Sequence, residues 1–128
     1  MAGSAEYYDR ILSGLAMPPT PIANAIPVIA KLGYRETNDE YDWLPTRRAY
    51  RRYLAYLRLT RSGMEPLSIR DFGFALRLAF PEAVPCTRRR ARDGKSLKGW
   101  AGLTGPGAER STDPDQWRHR RPKYVDDG

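Results

Sequence analysis

The residues best suited to chemistry in this sequence are arginines, and they are concentrated in the middle of the chain. The 128 residues carry 22 Lys and Arg against 15 Asp and Glu, a formal net charge of +7. Residues 46–99 hold 14 basic and 4 acidic groups, a balance of +10, whereas residues 1–45 sum to −3 and residues 100–128 to zero. Because a guanidinium group can hold a phosphate or a guanine edge through two parallel hydrogen bonds, this clustering predicts an interaction with nucleic acid.

Three groups of residues are candidates for this contact. The first lies on the outward face of a predicted helix and comprises Arg70, Phe74 and Arg77. The second lies on a predicted hairpin and comprises Arg88, Arg89, Arg90, Arg92, Lys95 and Lys98. With Asp93 these leave a local charge of +5, which repels itself unless anions are near. The third comprises Arg47, Arg48 and Arg51 on an earlier helix, where a phosphate contact and an ordinary solvated face are both compatible with the sequence.

The sequence provides few groups for catalysis or metal binding. His119 is the only histidine and Cys86 the only cysteine, so one chain cannot form a His-based triad, a disulfide or a Cys/His zinc site. The string Asp93-Gly94-Lys95-Ser96 lacks the upstream glycine of a phosphate-binding loop. Carboxylates in residues 36–42 could hold a metal ion, but a solvated acidic loop is the simpler interpretation. We therefore expect no enzymatic activity, no cofactor and no bound metal.

Length and hydropathy indicate one folded domain without a membrane segment. At 128 residues the chain can bury one modest core. No apolar run approaches the roughly 18 to 20 residues that span a bilayer, and Met1 is not followed by a signal-peptide pattern. We therefore expect a basic, cytoplasmic protein.

Two short helices and a core contact are predicted before the basic region. Apolar residues recur with helical spacing in residues 8–15 and again in residues 22–32, where Pro27 is a defect and Gly33 a stop. A polar, acidic stretch then leads to Trp43-Leu44, which we expect to enter the core or to form a short strand.

The basic region itself is predicted to form two longer helices. The first runs over residues 47–61 without Gly or Pro, and Tyr50 and Tyr53 lie on its apolar stripe, where core packing is favoured over base stacking. The second follows Ser68, a suitable N-cap, and ends at Pro81.

A β-hairpin with a basic tip is predicted after these helices. Residues 84–91 and 96–103 flank Arg92-Asp93-Gly94-Lys95, and Asp-Gly between extended segments is typical of a hairpin turn. Beyond Thr104, a Gly-Pro-Gly sequence and a polar tail lack periodicity.

Together these elements predict a mostly α fold with a small β-hairpin, that is, a winged helix-turn-helix with a helical N-terminal extension. Residues 1–42 are assigned to the helical extension and an acidic loop. Residues 43–104 are assigned to the winged-helix nucleic-acid-binding core, and residues 105–128 to a disordered tail.

Several motifs of this core form a recognisable pattern. They are Trp43-Leu44-Pro45-Thr46 with Tyr50 and Tyr53, Pro66-Leu67-Ser68-Ile69-Arg70-Asp71-Phe72-Gly73 with Leu76, the run Thr87-Arg88-Arg89-Arg90, Gly94, and Gly99-Trp100-Ala101-Gly102-Leu103. Through these motifs about half the chain resembles the C-terminal winged-helix domain of phage and plasmid primase-helicases of the poxvirus-primase type. It is more weakly similar to the regulatory-factor-X DNA-binding domain. The sequence departs from the first family at Phe74, where a basic residue usually follows the Phe-Gly step.

The resemblance implies a DNA-binding protein of a phage, plasmid or other mobile element that attaches to duplex DNA during replication. In such a domain the later helix enters the major groove and the wing touches the adjacent backbone. Two alternatives stay open. One is a binder of single-stranded DNA or RNA that stacks bases on aromatics such as Phe74. The other is an adaptor or inhibitor whose basic face binds an acidic protein, for example a replication-protein partner.

Overall fold

The computed structural model describes residues 19–89 and 94–110. Its helices are α1 (Thr20–Ala30), α2 (Thr46–Leu59) and α3 (Ile69–Ala79). Its strands are β1 (Arg35–Glu36), β2 (Asp42–Pro45), β3 (Val84–Arg89), β4 (Ser96–Ala101), β5 (Leu103–Thr104) and β6 (Glu109–Arg110). These elements make a small mixed α/β domain. The expected mostly α class fits only loosely, because strands before and after the hairpin enlarge the sheet.

The helices lie close to their predicted positions, and their ends follow local chemistry. α1 contains Pro27, and the chain leaves it through Gly33, whose φ of +95° favours glycine. α3 begins after Ser68, whose hydroxyl accepts a hydrogen bond from the Asp71 amide at 3.1 Å. The helix predicted at residues 8–15 falls outside the described residues. Among those described, no helix combines the length and the apolar character needed to cross a membrane.

A four-stranded antiparallel sheet has the order β3-β4-β2-β6, and β1 pairs separately with β5. β3 and β4 form the predicted hairpin, with Cys86 opposite Gly99. β4 also pairs with β2, which places Pro45, the last residue of that strand, opposite Gly99 as well. Because α2 follows Pro45 directly, this helix starts beside β4, partway along the hairpin.

One apolar core lies between the helices and one face of the sheet. Ile29 of α1, Phe72 of α3 and Trp100 of β4 are almost completely buried in it. The expected division between residues 42 and 43 is therefore not a boundary in the packing. The apolar stripe of α1 is covered by α3, so α1 belongs to the same core as the basic region.

The first residues of the expected disordered tail are also part of the fold. β6 pairs with β2, and Arg110 Nη1 lies 2.7 Å from Asp39 Oδ2 and 3.1 Å from Asp42 Oδ1. The prediction of disorder is wrong for residues 105–110, because they are held by contacts with a distant strand that no local pattern reveals. Residues 111–128 lie outside the described part of the chain.

Candidate nucleic-acid interface

Helix α2 carries five arginines, and its packing divides them into two groups. Two of them bind other segments of the domain. Arg48 Nη1 donates to Gly107 O at 3.0 Å, and its Nη2 lies 2.7 Å from Glu109 Oε2. Arg52 Nε donates to Leu32 O at 2.7 Å, just after α1. These two arginines brace α2 against its neighbours, so Arg48, a predicted phosphate contact, has a structural partner instead.

The other three arginines of α2 form an exposed row. Arg47, Arg51 and Arg58 are four and seven residues apart, which at 3.6 residues per turn places them within about 40° of one another around the helix. All three are exposed, and none makes a side-chain hydrogen bond or ion pair within residues 19–89 and 94–110. With about 1.5 Å of rise per residue, the row is roughly 16 Å long. We call these three residues the arginine row.

The arginine row has no acidic neighbour along its helix. Residues 46–61 contain six arginines and no Asp or Glu, and no acid occupies the first turn of α2. Arginines in that turn oppose the helix macrodipole, and Arg47 and Arg51 repel each other at i, i+4 by about 0.2 to 0.5 kcal/mol. A bound polyanion would relieve both unfavourable interactions.

Two tyrosines of α2 fix the start of α3. Tyr50 OH donates to Leu67 O at 2.6 Å, and Tyr53 OH accepts a hydrogen bond from Leu67 N–H at 3.1 Å. Their ring centroids lie 5.4 and 4.9 Å from that of Phe72, and burial raises the pKa of the Tyr53 phenol. The expectation of core packing is confirmed for Tyr53, and Tyr50 is partly buried against the same core.

Helix α3 is enclosed by the rest of the domain. Residues 72–76 are all buried, and five successive residues at 3.6 per turn cover the whole circumference of a helix. Phe74 is 4% exposed and belongs to the main core. The prediction that Phe74 faces outward is therefore wrong. Its spacing places it in line with Arg70 and Arg77 but does not reveal that the helix is covered at Phe74.

The two arginines in line with Phe74 differ in their surroundings. Arg77 is partly buried, and its Nη1 donates to Pro81 O at 2.7 Å and to Ala83 O at 3.2 Å, which ties the following loop to the helix. Arg70 is exposed in the first turn, with its guanidinium carbon 5.6 Å from the Phe74 ring centroid. Of the three groove candidates on α3, only Arg70 is exposed.

The hairpin buries one arginine that the sequence predicts on the surface. Arg88 is 3% exposed, its guanidinium carbon lies 5.3 Å from the Trp43 ring centroid, and it donates to the backbone carbonyls of Glu40 and Tyr41. The prediction of a phosphate contact from Arg88 is wrong for this arrangement. The strand turns this side chain toward Trp43, which covers it.

Trp43 crosses the sheet and fixes the hairpin in place. Its indole N–H donates to Cys86 O at 3.2 Å. The indole passes over Gly99, where a Cβ would lie 2.3 Å from Trp43 Nε1, so only glycine fits at this position. Trp43, Cys86 and Ala101 thereby form a second, smaller buried cluster.

The remaining hairpin candidates divide by location. Lys95 and Lys98 are exposed. Arg89 belongs to β3, but its side chain is outside the described part of the structure. Arg90 and Arg92 lie outside the described residues altogether.

Two exposed arginines, one in the row and one just after α2, are missing from the sequence-based prediction. Arg58 lies seven residues, or two helical turns, after Arg51, and this spacing is a signal that could have placed it in the row. Arg61 follows α2 with a φ of +50°, beyond the reach of helical periodicity. The exposed basic surface therefore extends along the whole of α2.

Comparisons with known proteins gave no match to this chain. No protein-family model matches the chain, and neither the curated proteins nor the solved structures include a significant match.

Proposed function

We propose that this protein binds duplex DNA as a winged-helix domain, with the arginine row of α2 contacting the phosphate backbone. One observation carries the proposal: three exposed arginines share one side of a helix that has no acidic residue. Such contacts contribute most of the non-specific affinity for duplex DNA, because each one releases condensed counterions. The protein acts by binding, without catalysis.

The order of elements supports the winged-helix assignment. α1, β2, α2, α3 and the β3–β4 hairpin follow one another along the chain, and β4 lies between β3 and β2 in the sheet. In a helix-turn-helix domain the first helix of the pair crosses the DNA backbone. α2 occupies that position, and Lys95 and Lys98 would extend the contact from the wing. The resemblance of residues 43–104 further favours a role in replication of a phage, plasmid or other mobile element.

Burial of the candidate stacking residues Phe74 and Tyr53 favours duplex over single-stranded nucleic acid. Phe74 is 4% exposed and cannot stack on a base without leaving the core. Tyr50 and Tyr53 are engaged with Leu67 and Phe72. The arginine row, by contrast, needs only a line of phosphates.

The test is a salt titration of binding to short fluorescent duplex DNA. Arg47→Ala with Arg51→Ala should flatten the slope of log affinity against log salt by about 1.8, because each lost phosphate contact removes about 0.9. The matched control is Lys31→Ala with Arg35→Ala, which removes the same charge from exposed positions outside α2. The control should leave the slope unchanged apart from a small effect of net charge.

Equal slopes in the two double variants would contradict the assignment of the row. Salt-dependent binding that is stronger to single strands than to duplexes would favour the single-stranded alternative. A stable complex with an acidic protein, together with no binding to any nucleic acid at low salt, would favour the adaptor.

A further inference from the structure

The enclosure of α3 limits which features of DNA this domain can read. Base recognition through the major groove, which is about 12 Å wide, requires side chains that project from an exposed helix or ribbon. Residues 72–76 of α3 are buried, and Arg77 is engaged by the carbonyls of Pro81 and Ala83. Its only exposed residues are Ile69 and Arg70 in the first turn, while Asp71 and residues 77–79 are partly buried. α3 therefore cannot present side chains to several successive base pairs.

The exposed side of α2 also lacks most of the chemistry of base recognition. Asn and Gln read adenine and Asp and Glu read cytosine, yet residues 46–61 contain none of these four types. Leu59, which is 79% exposed at the end of the helix, lies about 80° to 120° around the helix from the arginines of the row. Arginine can pair with guanine, but it binds phosphate in any sequence.

The length of the arginine row suits contacts with the backbone alone. Arg47 and Arg58 are separated by roughly 16 Å along the helix axis, more than the approximately 12 Å width of the major groove. Arginines at the two ends of α2 can therefore reach phosphates on opposite sides of the groove while the helix stays outside it.

We infer that the surface formed by α2 and α3 binds the phosphodiester backbone of duplex DNA irrespective of base sequence. The inference rests on the proposed function and narrows it, because the ligand is then any duplex of sufficient length and not a particular site. Affinity depends on the number of phosphates that the arginine row contacts and on the salt concentration.

The test compares four duplexes of equal length with the full chain: one rich in G·C, one rich in A·T, one mixed, and one enriched from a random pool by repeated selection. Their affinities should agree within about threefold and their salt slopes should coincide, whereas specific binders typically prefer their sites by roughly 10³-fold or more. Arg47→Ala with Arg51→Ala should weaken binding to all four equally. Lys31→Ala with Arg35→Ala is again the control and should preserve the agreement.

The outcomes separate this inference from the proposed function. A selected duplex that binds more than about threefold tighter than the mixed duplex would overturn the inference and leave duplex binding intact. In that case, loss of the preference in Arg70→Ala would identify the first turn of α3 as the reading element. Absence of salt-dependent binding to every duplex would overturn the proposed function, and the inference with it.

Discussion

Helices α2 and α3 are joined by one connection but differ in how charge is arranged at their N-terminal ends and on their exposed sides. α3 has Ser68 as a cap, Asp71 in its first turn and Arg77 in its last, and its middle is buried. α2 has no side-chain cap and no acid in its first turn, and arginines follow one exposed side. α3 thus follows the rules that stabilise a helix within a fold, and α2 departs from them where its surface is open. This local departure, more than the number of basic residues, marks the candidate interface.

The same contrast separates the arginines by role. Within residues 19–89 and 94–110, four arginines donate to backbone carbonyls outside their own helix or strand: Arg48, Arg52, Arg77 and Arg88. The arginine row makes no such bond to the part of the chain that the structure describes. Substitutions in the first group should lower stability, and substitutions in the row should lower affinity.

The largest expected effect tests the enclosure of α3. Phe74→Ala should lower the free energy of unfolding by about 3 to 5 kcal/mol, the usual cost of removing a buried phenyl ring. Urea denaturation followed by circular dichroism measures this change. Ile69→Ala, on the exposed first turn of the same helix, is the control and should cost less than about 1 kcal/mol. If Phe74→Ala lowered the free energy of unfolding as little as the control does, Phe74 would be exposed, and α3 would not differ from α2 in burial.

A second comparison sets Arg88 against Arg51. Arg88→Ala should destabilise the domain by about 2 to 3 kcal/mol, because the carbonyls of Glu40 and Tyr41 lose a charged donor. The salt slope of duplex binding by the folded protein should not change. Arg51→Ala should affect binding and not stability. The free energy of unfolding should change by less than about 0.5 kcal/mol, and the slope of log affinity against log salt should fall by about 0.9. A lowered slope with full stability in Arg88→Ala would assign Arg88 to the interface.

The contacts that hold α2 to residues 105–110 can be tested by truncating the chain at its C-terminus. A chain that ends at Thr104 should be less stable than one that ends at Arg110, by roughly 1 to 3 kcal/mol, because it lacks β6 and the partners of Arg48. Thermal denaturation should show a Tm lower by several degrees. Identical Tm values for the two chains would mean that residues 105–110 contribute nothing to the position of α2.

The smallest expected effect concerns Asp39, near the start of β2. A hydrogen bond from Arg110 and one from the Tyr41 amide hold the pKa of Asp39 below its ordinary value of 3.8. The contact between Asp39 and Arg110 therefore stabilises the domain fully at pH values above 3.8. This stabilisation is lost as the pH falls through the lowered pKa of Asp39. Arg110→Ala should reduce Tm slightly at neutral pH and not in strong acid, since exposed ion pairs contribute little. An equal reduction at both pH values would show that the ionised Asp39 is not responsible.

Local structure was largely predictable from the sequence. The helical spacing of apolar residues, the Ser68 cap and the Asp93-Gly94 turn signal all act over a few residues. They predicted the helices α1, α2 and α3 and the β3–β4 hairpin near their observed bounds. The clustering of arginines likewise identified α2 and the hairpin as basic, because charge is counted without knowledge of the fold.

Only the tertiary structure decided which of these arginines are exposed. Arg47 and Arg88 look alike in sequence, since each stands among other basic residues. Arg88 is buried because β2 brings Trp43 and the carbonyl of Tyr41, 47 positions away, beside it. Phe74 is buried in the core that α1 and α3 share, and residues 105–110 are held in place because β6 pairs with β2. These contacts join residues far apart in the chain, so burial, and with it the charges that can reach a partner, depends on packing that no local pattern encodes.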